Sequence, residues 1–288
     1  MAKPKEASWL EFWTPVAEVL GPRERLAVSR APGTTGPVVA LVHGLEGNWD
    51  SWRPLIEALT GFRAYALDLP WRAGNPYRWR QHGTPADWLR QALDLVPEPV
   101  DVLLGHSFGS NAVLEHLATS DGTRIPSAAV LLAPFYRPES LTVDWRLHDA
   151  ALAGFRRVIA DGVGVGLGER ARTIDPDVLT AMVDTTLERI GPVGFLSLFL
   201  QFVGTTELAL ADVAVPTLVL AGQHDESLAG NRATALAAAM PTATVRQHAH
   251  YGHFCHAEQT GDVAAEIAAF LTNTLMNTRS ATPRTPVP

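Results

Sequence analysis

The 288-residue sequence is poor in cysteine, in clustered basic residues and in long apolar runs, and each scarcity excludes a class of protein. Cys255 has no second cysteine to pair with, so an intramolecular disulfide framework is excluded. The formal charge is −7 and no more than two Lys or Arg are adjacent, which argues against a nucleic-acid binder. No stretch of 18 apolar residues occurs, so we expect no membrane span; the longest run, 193–203, contains Ser197 and Gln201.

The beginning of the chain also lacks the pattern of a secretory leader. Residues 1–20 include Glu6, Glu11, Pro15 and Glu18, and they contain no apolar stretch of the length that a signal peptide needs. We therefore expect a cytoplasmic protein.

Short apolar runs alternate with helical patterns along most of the chain. Hydrophobic residues make up 47% and charged residues 18%, which is enough apolar material for a sizeable core. Strands are predicted at 25–29, 38–43, 63–68, 100–105, 128–133, 217–221 and 244–247. Helices are predicted at 51–60, 85–95, 111–119, 232–239 and 263–275. This alternation predicts an α/β fold with a doubly wound, mostly parallel sheet flanked by helices.

One segment, 137–212, interrupts the alternation because it contains helical patterns and no convincing strand. It is too long for an ordinary crossover, so we interpret it as a helical lid inserted into a core formed by 9–136 and 213–276. Within the segment, glycine occupies every second position from 162 to 168, which suggests a hinge or a loose loop. The first eight residues and the tail 277–288 are predicted to be disordered.

The strongest chemical motif is Gly105-His106-Ser107-Phe108-Gly109. It lies between an apolar strand pattern and a helix, which is the context of a nucleophile elbow. A sharp turn of this kind holds the serine in a strained conformation, so the residues two positions away on each side must be small. The helix N-terminus also favours negative charge. A glycine-rich helix cap is the alternative interpretation.

A second element, 41–47, follows an earlier strand and contains His43-Gly44-Leu45. Acyl transfer needs two backbone N–H donors for the oxyanion. The candidates are Leu45 and Phe108, the residue after the proposed nucleophile.

The base and its orienting acid come from the last third of the chain. Among ten histidines, His253 is the candidate base, because it follows the last strand and comes last in the order Ser, Asp, His. Asp225, after the penultimate strand, is the candidate acid, with Glu226 as a weaker alternative. His250 and His256 are less favoured bases. The His and Cys cluster at 248–256 also allows a zinc site, but we predict no metal and no cofactor.

These motifs resemble the α/β-hydrolase family with a helical lid, over roughly 27–275. The matching elements are 43–45, 105–109, 222–225 and 252–254. The resemblance implies a sheet of about eight strands with the active site under the lid. Members with serine in the elbow are mostly esterases, lipases, thioesterases, peptidases and C–C hydrolases, whereas epoxide hydrolases and haloalkane dehalogenases use aspartate there.

The sequence departs from the family after Asp68-Leu-Pro70. Relatives commonly have a Gly-His-Gly-x-Ser loop at this point, but here a bulkier loop begins with Trp71 and Arg72 and includes Trp79. This loop and Trp49 would open at the carboxyl edge of the sheet. We therefore predict that His43, Trp49, Trp71, Trp79 and Arg72 contact substrate, with the tryptophans around an apolar acyl group and Arg72 on a carboxylate or a carrier phosphate. Tryptophans sealing the core and a solvated arginine are the alternatives.

Together these residues predict a serine hydrolase that cleaves a carboxylic ester or thioester through an acyl-enzyme at Ser107. The expected partner is a small-molecule acyl substrate, free or tethered to a carrier. Acyl transfer, cyclisation, perhydrolysis or lyase chemistry on the same triad is the alternative, as is a hydrolase-fold binding protein without catalysis. The sequence leaves the oligomeric state open.

Overall fold

An eight-stranded sheet forms the centre of the computed structural model, which describes residues 12–20, 24–33, 35–120, 122 and 124–281. The strands are β1 (Thr14–Leu20), β2 (Arg25–Arg30), β3 (Val38–Val42), β4 (Arg63–Asp68), β5 (Val102–His106), β6 (Ala128–Leu132), β7 (Thr217–Gly222) and β8 (Ala243–His248). Their order across the sheet is β1-β2-β4-β3-β5-β6-β7-β8. β1 and β2 pair antiparallel with their neighbours, and all other pairs are parallel. The predicted fold class is confirmed.

The central strands are apolar along their whole length because both faces of the sheet are covered. Every residue of β3, β5 and β6 is buried. The sequence analysis missed β1, whose residues are almost all exposed. This strand lies at an antiparallel edge, where it needs no apolar run and tolerates Pro15.

Helices cover both faces of the sheet. They are α1 (Arg53–Ala58), α2 (Pro85–Leu93), α3 (Phe108–Thr119), α4 (Trp145–Leu167), α5 (Pro176–Gly204), α6 (Arg232–Ala239), α7 (Cys255–Glu258) and α8 (Thr260–Ala281). One buried cluster contains Leu55 of α1 and Ile267 of α8, and the other contains Leu89 of α2, Leu114 of α3 and Leu236 of α6. None of these helices, within the described ranges, is long and apolar enough to cross a membrane.

The segment 137–212 is helical, and all of its residues are described. It contains α4, α5 and short 3-10 turns, and α5 is kinked at Gly191, where φ is 61° before Pro192. The expected loose loop at 162–168 is wrong, because α4 continues through these glycines to Leu167, and a hinge within this helix stays a prediction. α8 likewise extends to Ala281, beyond the predicted start of disorder at 277. The remaining predictions of disorder, at 1–8 and 282–288, lie outside the described residues.

Candidate active site

Three strands bring the predicted triad to one edge of the sheet. Ser107 follows β5, Asp225 follows β7 and His253 follows β8. Because these strands are parallel, their carboxyl ends meet at the same edge, where ligands bind in open α/β sheets. Side chains that are more than a hundred residues apart in the sequence therefore come together.

Ser107 occupies a sharp turn between β5 and α3. Its φ of 52° and ψ of −121° place it in a strained region for a residue with a side chain, at a cost of roughly 1–3 kcal/mol. A Cβ atom on Gly105 would lie 2.7 Å from Cα of Ser110, and one on Gly109 would overlap the carbonyl oxygen of Val42. Both flanking positions therefore require glycine, which supports the elbow interpretation over a simple glycine-rich cap.

A chain of hydrogen bonds joins the three side chains. Nε2 of His253 lies 2.9 Å from Oγ of Ser107, and its Nδ1 lies 3.0 and 3.1 Å from the two carboxylate oxygens of Asp225. Oδ1 of Asp225 also accepts a hydrogen bond from the backbone N–H of Ser227 at 3.0 Å. The imidazole that donates from Nδ1 to Asp225 presents an unprotonated Nε2 to the serine hydroxyl.

The charges around His253 favour its role as a base. Burial lowers the pKa of His253, but the Asp225 carboxylate and its hydrogen bond outweigh burial and raise the pKa above the ordinary 6.5. Burial raises the pKa of Asp225, but His253 and Ser227 outweigh it and lower the pKa. Two neighbouring histidines behave differently: burial lowers the pKa of His106 well below its usual range and that of His256 to about 3. Of the three buried histidines His106, His253 and His256, His253 is therefore the one whose surroundings favour gaining a proton.

The loop after β3 passes directly against Ser107. A Cβ atom on Gly44 would lie 3.3 Å from Cβ of Ser107. His43 fixes this loop, because its Nδ1 donates to the carbonyl of Gly44 at 2.8 Å and its Nε2 accepts from the N–H of Leu69 at 3.1 Å. Burial lowers the pKa of His43 to about 4, which keeps the ring neutral for these two bonds.

The backbone N–H groups of Leu45 and Phe108 lie on the two elements that meet here, the β3 loop and the first turn of α3. Within the described chain, neither amide donates to a protein acceptor. They are therefore free to bind an oxyanion beside Ser107.

Two cavities meet at Ser107. One has a volume of 550 Å³ and the other 340 Å³, and Ser107, His253 and Val158 line both. The larger cavity lies between α4, α5 and the loop that precedes α6, and the smaller one lies between α4 and the β3 loop. The site is therefore a cleft with two arms beneath the helical segment, and each arm is of a size that suits a small-molecule substrate.

Comparison with known proteins agrees with this architecture. The family model described as the alpha/beta hydrolase family matches residues 39–266, which is most of the chain. The chain belongs to the alpha/beta hydrolase family. No curated protein matches the sequence.

Several solved structures share this fold at low sequence identity. A lipase candidate from Acinetobacter baumannii AYE superposes with a TM-score of 0.66 at 17% identity, over 96% of this chain and 100% of that chain. A haloalkane dehalogenase variant from Bradyrhizobium elkanii superposes with a TM-score of 0.63 at 16% identity, over 92% of this chain and 99% of that chain. A thermophilic esterase from Thermogutta terrifontis superposes with a TM-score of 0.58 at 21% identity, over 91% of this chain and 98% of that chain. Such distant likeness establishes the hydrolase fold and leaves the substrate open.

The predicted tryptophan contacts with substrate are wrong for this hydrolase. Trp71 and Trp79 are each 1% exposed and pack edge-on or tilted around Phe108 inside the core. Trp49 packs against Trp13, with ring centroids 5.8 Å apart, and none of the three predicted tryptophans lines either cavity. The loop after β4 turns inward because the apolar indole of Trp71 is buried while its N–H donates to the carbonyl of His43 at 2.8 Å.

Arg72 and His43 are also not placed to bind substrate through their polar atoms. Nη1 of Arg72 donates to the carbonyl of Arg25 at 3.2 Å, its Nε lies 3.9 Å from the Asp68 carboxylate, and it lines neither cavity. His43 reaches the wall of the smaller cavity, but both ring nitrogens are hydrogen-bonded inside the protein. Arg72 therefore ties the β4 loop to the sheet, and His43 positions the β3 loop.

Helix α4 passes close to both catalytic loops, a feature that the sequence analysis missed. A Cβ atom on Gly154 would overlap the Glu226 carboxylate, and one on Gly162 would lie 2.9 Å from the ring of Phe254. These glycines are eight positions apart and therefore share one helix face. The spacing of Gly154 and Gly162 was the sequence signal for this close approach. It was overlooked because Gly162 also begins the series of alternating glycines.

Two ion pairs connect the helical segment to the core at the site. Arg189 of α5 lies 2.7 Å from the Glu46 carboxylate, which is 7% exposed and also accepts a hydrogen bond from Tyr77 at 2.7 Å. Arg157 of α4 pairs with Glu226. Each acid directly follows a candidate site residue, Leu45 in one case and Asp225 in the other. We call these two pairs the tethers.

Two histidines of the 248–256 cluster have separate partners. Among the described residues, no three His, Cys, Asp or Glu side chains gather so that they could hold a metal ion. His253 points to Ser107, whereas the ring of His256 packs on His106 and Trp52, with centroids 4.2 and 5.1 Å apart.

Proposed function

We propose that this protein is a serine hydrolase that cleaves a carboxylic ester or thioester through an acyl-enzyme at Ser107. The observation that carries the proposal is the hydrogen-bonded series from Ser107 through His253 to Asp225, placed at a strained elbow. A serine held only by a helix cap would have no buried imidazole aligned on its hydroxyl.

In the first half of the proposed reaction, Oγ of Ser107 attacks the substrate carbonyl carbon while Nε2 of His253 takes the hydroxyl proton. The Asp225 carboxylate stabilises the imidazolium, and the amides of Leu45 and Phe108 stabilise the oxyanion. The tetrahedral intermediate then collapses and the bond to the leaving oxygen or sulfur breaks. The leaving group departs with the proton from His253, and an ester of Ser107 remains.

In the second half, water gives its proton to Nε2 of His253 and attacks the acyl carbon. The second tetrahedral intermediate expels Oγ of Ser107, which recovers the proton from His253 and releases the acid. The helical segment 137–212 acts as a lid over a core formed by 9–136 and 213–276. It shields the acyl-enzyme from bulk solvent and shapes both arms of the cleft.

The identity of the nucleophile favours acyl chemistry over other reactions of the fold. The elbow contains serine, whereas the resemblance implies aspartate for epoxide opening or dehalogenation. The substrate is a small acyl compound, either free or tethered to a carrier. A cytoplasmic location stays a prediction from the sequence.

Covalent labelling tests the proposal. We would incubate the protein with a small fluorophosphonate, record its intact mass, and measure turnover of short-chain nitrophenyl esters and acyl thioesters. We expect one label on the native protein, none on Ser107→Ala and strongly slowed labelling of His253→Ala. Ser51→Ala is the matched control, because Ser51 lines the smaller cavity and donates to the carbonyl of Asn48 rather than to a histidine.

Product analysis separates hydrolysis from transfer. Release of free acid at the rate of substrate loss supports hydrolysis, and acylated alcohol or amine acceptors would indicate transfer. If the small fluorophosphonate does not label the protein and no ester or thioester is turned over, the proposal is overturned and a binding protein is favoured.

A further inference from the structure

A cationic side chain lies in the wall of the larger cavity. Arg232 is the first residue of α6 and lines this cavity together with Ser107 and His253. Its Nη1 donates to the backbone carbonyl of Glu226 at 2.6 Å, and its guanidinium carbon lies 5.0 Å from the centre of the Phe202 ring. Among the described residues, no carboxylate lies within 4.0 Å of it. The guanidinium is therefore anchored but not neutralised by direct contact.

The other charged groups of this cavity already have partners. The Asp225 carboxylate pairs with His253, and the Glu226 carboxylate pairs with Arg157. Glu226 is also the acid that acts on Arg232 at longer range, and burial lowers the pKa of Arg232 against its influence. Since an arginine keeps its proton at ordinary pH, this wall of the cavity has a positive charge that no carboxylate of a described residue contacts directly.

The start of α6 adds to that charge. Ala229, Gly230 and Asn231 line the same wall, and the Asn231 side chain makes no capping hydrogen bond to the helix. The backbone N–H of Arg232 already donates to the carbonyl of Ala229 at 3.4 Å, but the helix dipole makes this end positive. An anion near Arg232 would therefore meet positive potential from both the guanidinium and the helix.

Apart from the groups named above and Ser227, the lining of the cavity is apolar. Its apolar walls are formed by Phe135, Leu141, Ala151, Phe155, Val158, Leu198 and Phe202. These side chains come mainly from α4 and α5 and line the space between Ser107 and α6. A ligand that fills the cavity therefore needs an apolar body with an acceptor group at one end.

We propose that the larger cavity binds an arm of the substrate that is an apolar chain ending in a carboxylate, and that Arg232 binds this carboxylate. The inference rests on the proposed function, since it defines the substrate class of the same site. It also relocates the anion-binding role that the sequence suggested for Arg72. The planar guanidinium matches a carboxylate through its remaining N–H donors.

Matched substrate pairs test the proposal. One series consists of methylumbelliferyl esters of hexanedioic, octanedioic and decanedioic acid, each with a free distal carboxylate or its methyl ester. The second series carries the free or methylated carboxylate on the alcohol, as hexanoate esters of ω-hydroxy acids. We expect kcat/KM to favour the free carboxylate about tenfold or more in one series, as a charge-assisted bond would produce.

Substitutions then assign the preference to Arg232. Arg232→Gln should bring the ratio of kcat/KM for the charged substrate to kcat/KM for the neutral substrate close to one, while Arg232→Lys should keep part of the preference. Arg246→Gln is the matched control, because Arg246 pairs with Glu266 away from the cavity and should leave the ratio unaltered.

A binding measurement keeps the test independent of catalysis. Ser107→Ala is titrated calorimetrically with monomethyl octanedioate and with dimethyl octanedioate, and we expect the monoanion to bind about tenfold more tightly until Arg232 is also replaced. No preference in either assay, or an equal loss for both substrates in Arg232→Gln, would overturn the inference and leave the proposed function standing. Absence of labelling and of turnover, with the carboxylate preference in binding intact, would overturn the proposed function alone.

Discussion

In the sheet, β3, β5 and β6 have no exposed residue, whereas α4 in the helical segment buries only Leu147, Gly154 and Phe155 of its 23 residues. The exposed large apolar residues are also concentrated in this segment. They include Val143, Trp145, Val178, Met182, Val193, Leu196 and Leu200. The sheet is therefore held by dense apolar burial, and the segment has much less of it.

The two regions differ in what positions them at the site. The triad is fixed by parallel strands and by an elbow in which glycines permit close backbone contact. The segment reaches the same site through helix packing and the two tethers, which end on Glu46 and Glu226. We infer that chemistry depends on the sheet and that access depends on the segment, and the following predictions test this division in order of decreasing effect.

At a pH above the folded pKa of His253, Asp225→Asn should lower kcat by about 10⁴-fold and leave the unfolding midpoint nearly unchanged, because the amide favours the wrong tautomer of His253 while keeping the side-chain shape. Steady-state kinetics and thermal unfolding measure the two effects. Glu226→Gln is the matched control, since Glu226 pairs with Arg157 and makes no contact with His253. If it lost as much activity as Asp225→Asn, the assignment of the acid would be wrong.

The pH profile of kcat/KM should show an acidic limb with an apparent pKa above 6.5, below which the rate falls about tenfold per pH unit, since the base must be neutral. The contribution of the His253–Asp225 pair to the free energy of unfolding depends on pH in the opposite direction. It is fully present below the unfolded pKa of about 6.5 and is lost as pH rises through the folded value. Asp225→Asn should move the limb to lower pH, and an unmoved limb would show that another group titrates.

Gly109→Ala should destabilise the core by about 3 kcal/mol or more, because its Cβ atom would overlap the carbonyl oxygens of Val42 and His43, which are backbone atoms and cannot turn away. Urea unfolding followed by fluorescence measures the change. A loss of less than 1 kcal/mol would mean that the elbow is looser than the sheet that supports it.

Arg189→Gln should lower the free energy of unfolding by about 1–2 kcal/mol, because it leaves the Glu46 carboxylate buried with only neutral partners. It should also raise KM more than it lowers kcat. Arg189 itself is 49% exposed, and solvent screening limits the loss. Arg172→Gln is the control, because its partner Glu169 is 89% exposed and the pair should contribute nothing measurable. If the two substitutions had equal effects on stability and KM, the Arg189–Glu46 pair would not position the helical segment at the site.

Gly164→Ala should stabilise the protein by about 0.5–1 kcal/mol, the reverse of the same substitution at Gly109. Gly164 lies inside α4, and a Cβ atom there would meet nothing within 4 Å. The urea experiment used for Gly109→Ala measures this shift. Destabilisation would indicate that α4 must flex at these glycines, as the sequence suggested.

Patterns in the sequence predicted the sheet because its strands are nearly continuous apolar runs. β4 matches the expected 63–68 at both ends, and β1 was missed because an exposed edge strand needs no such run. The alternating glycines led to the wrong prediction of a loose loop at 162–168, because helix formation by the surrounding residues outweighs the small cost of each glycine.

Individual side chains were less predictable than strands. Whether Trp71 and Trp79 face a cavity or the core depends on the direction in which the β4 loop turns, and neither composition nor spacing encodes that direction. The sequence analysis selected Arg72 as an anion binder and did not consider Arg232. Only the packing around each guanidinium distinguishes them.

The sequence by itself determined the sheet, the elbow and the order of Ser107, Asp225 and His253, since local patterns and the rule that parallel strands end at one edge suffice for these. Tertiary structure alone decided which side chains surround the nucleophile. The division of the cleft into two arms and the tethers depend on α4 and α5 crossing above the sheet edge, where Arg232 faces the larger arm from the start of α6. Such crossings arise from contacts between residues far apart in the chain, which no local pattern records.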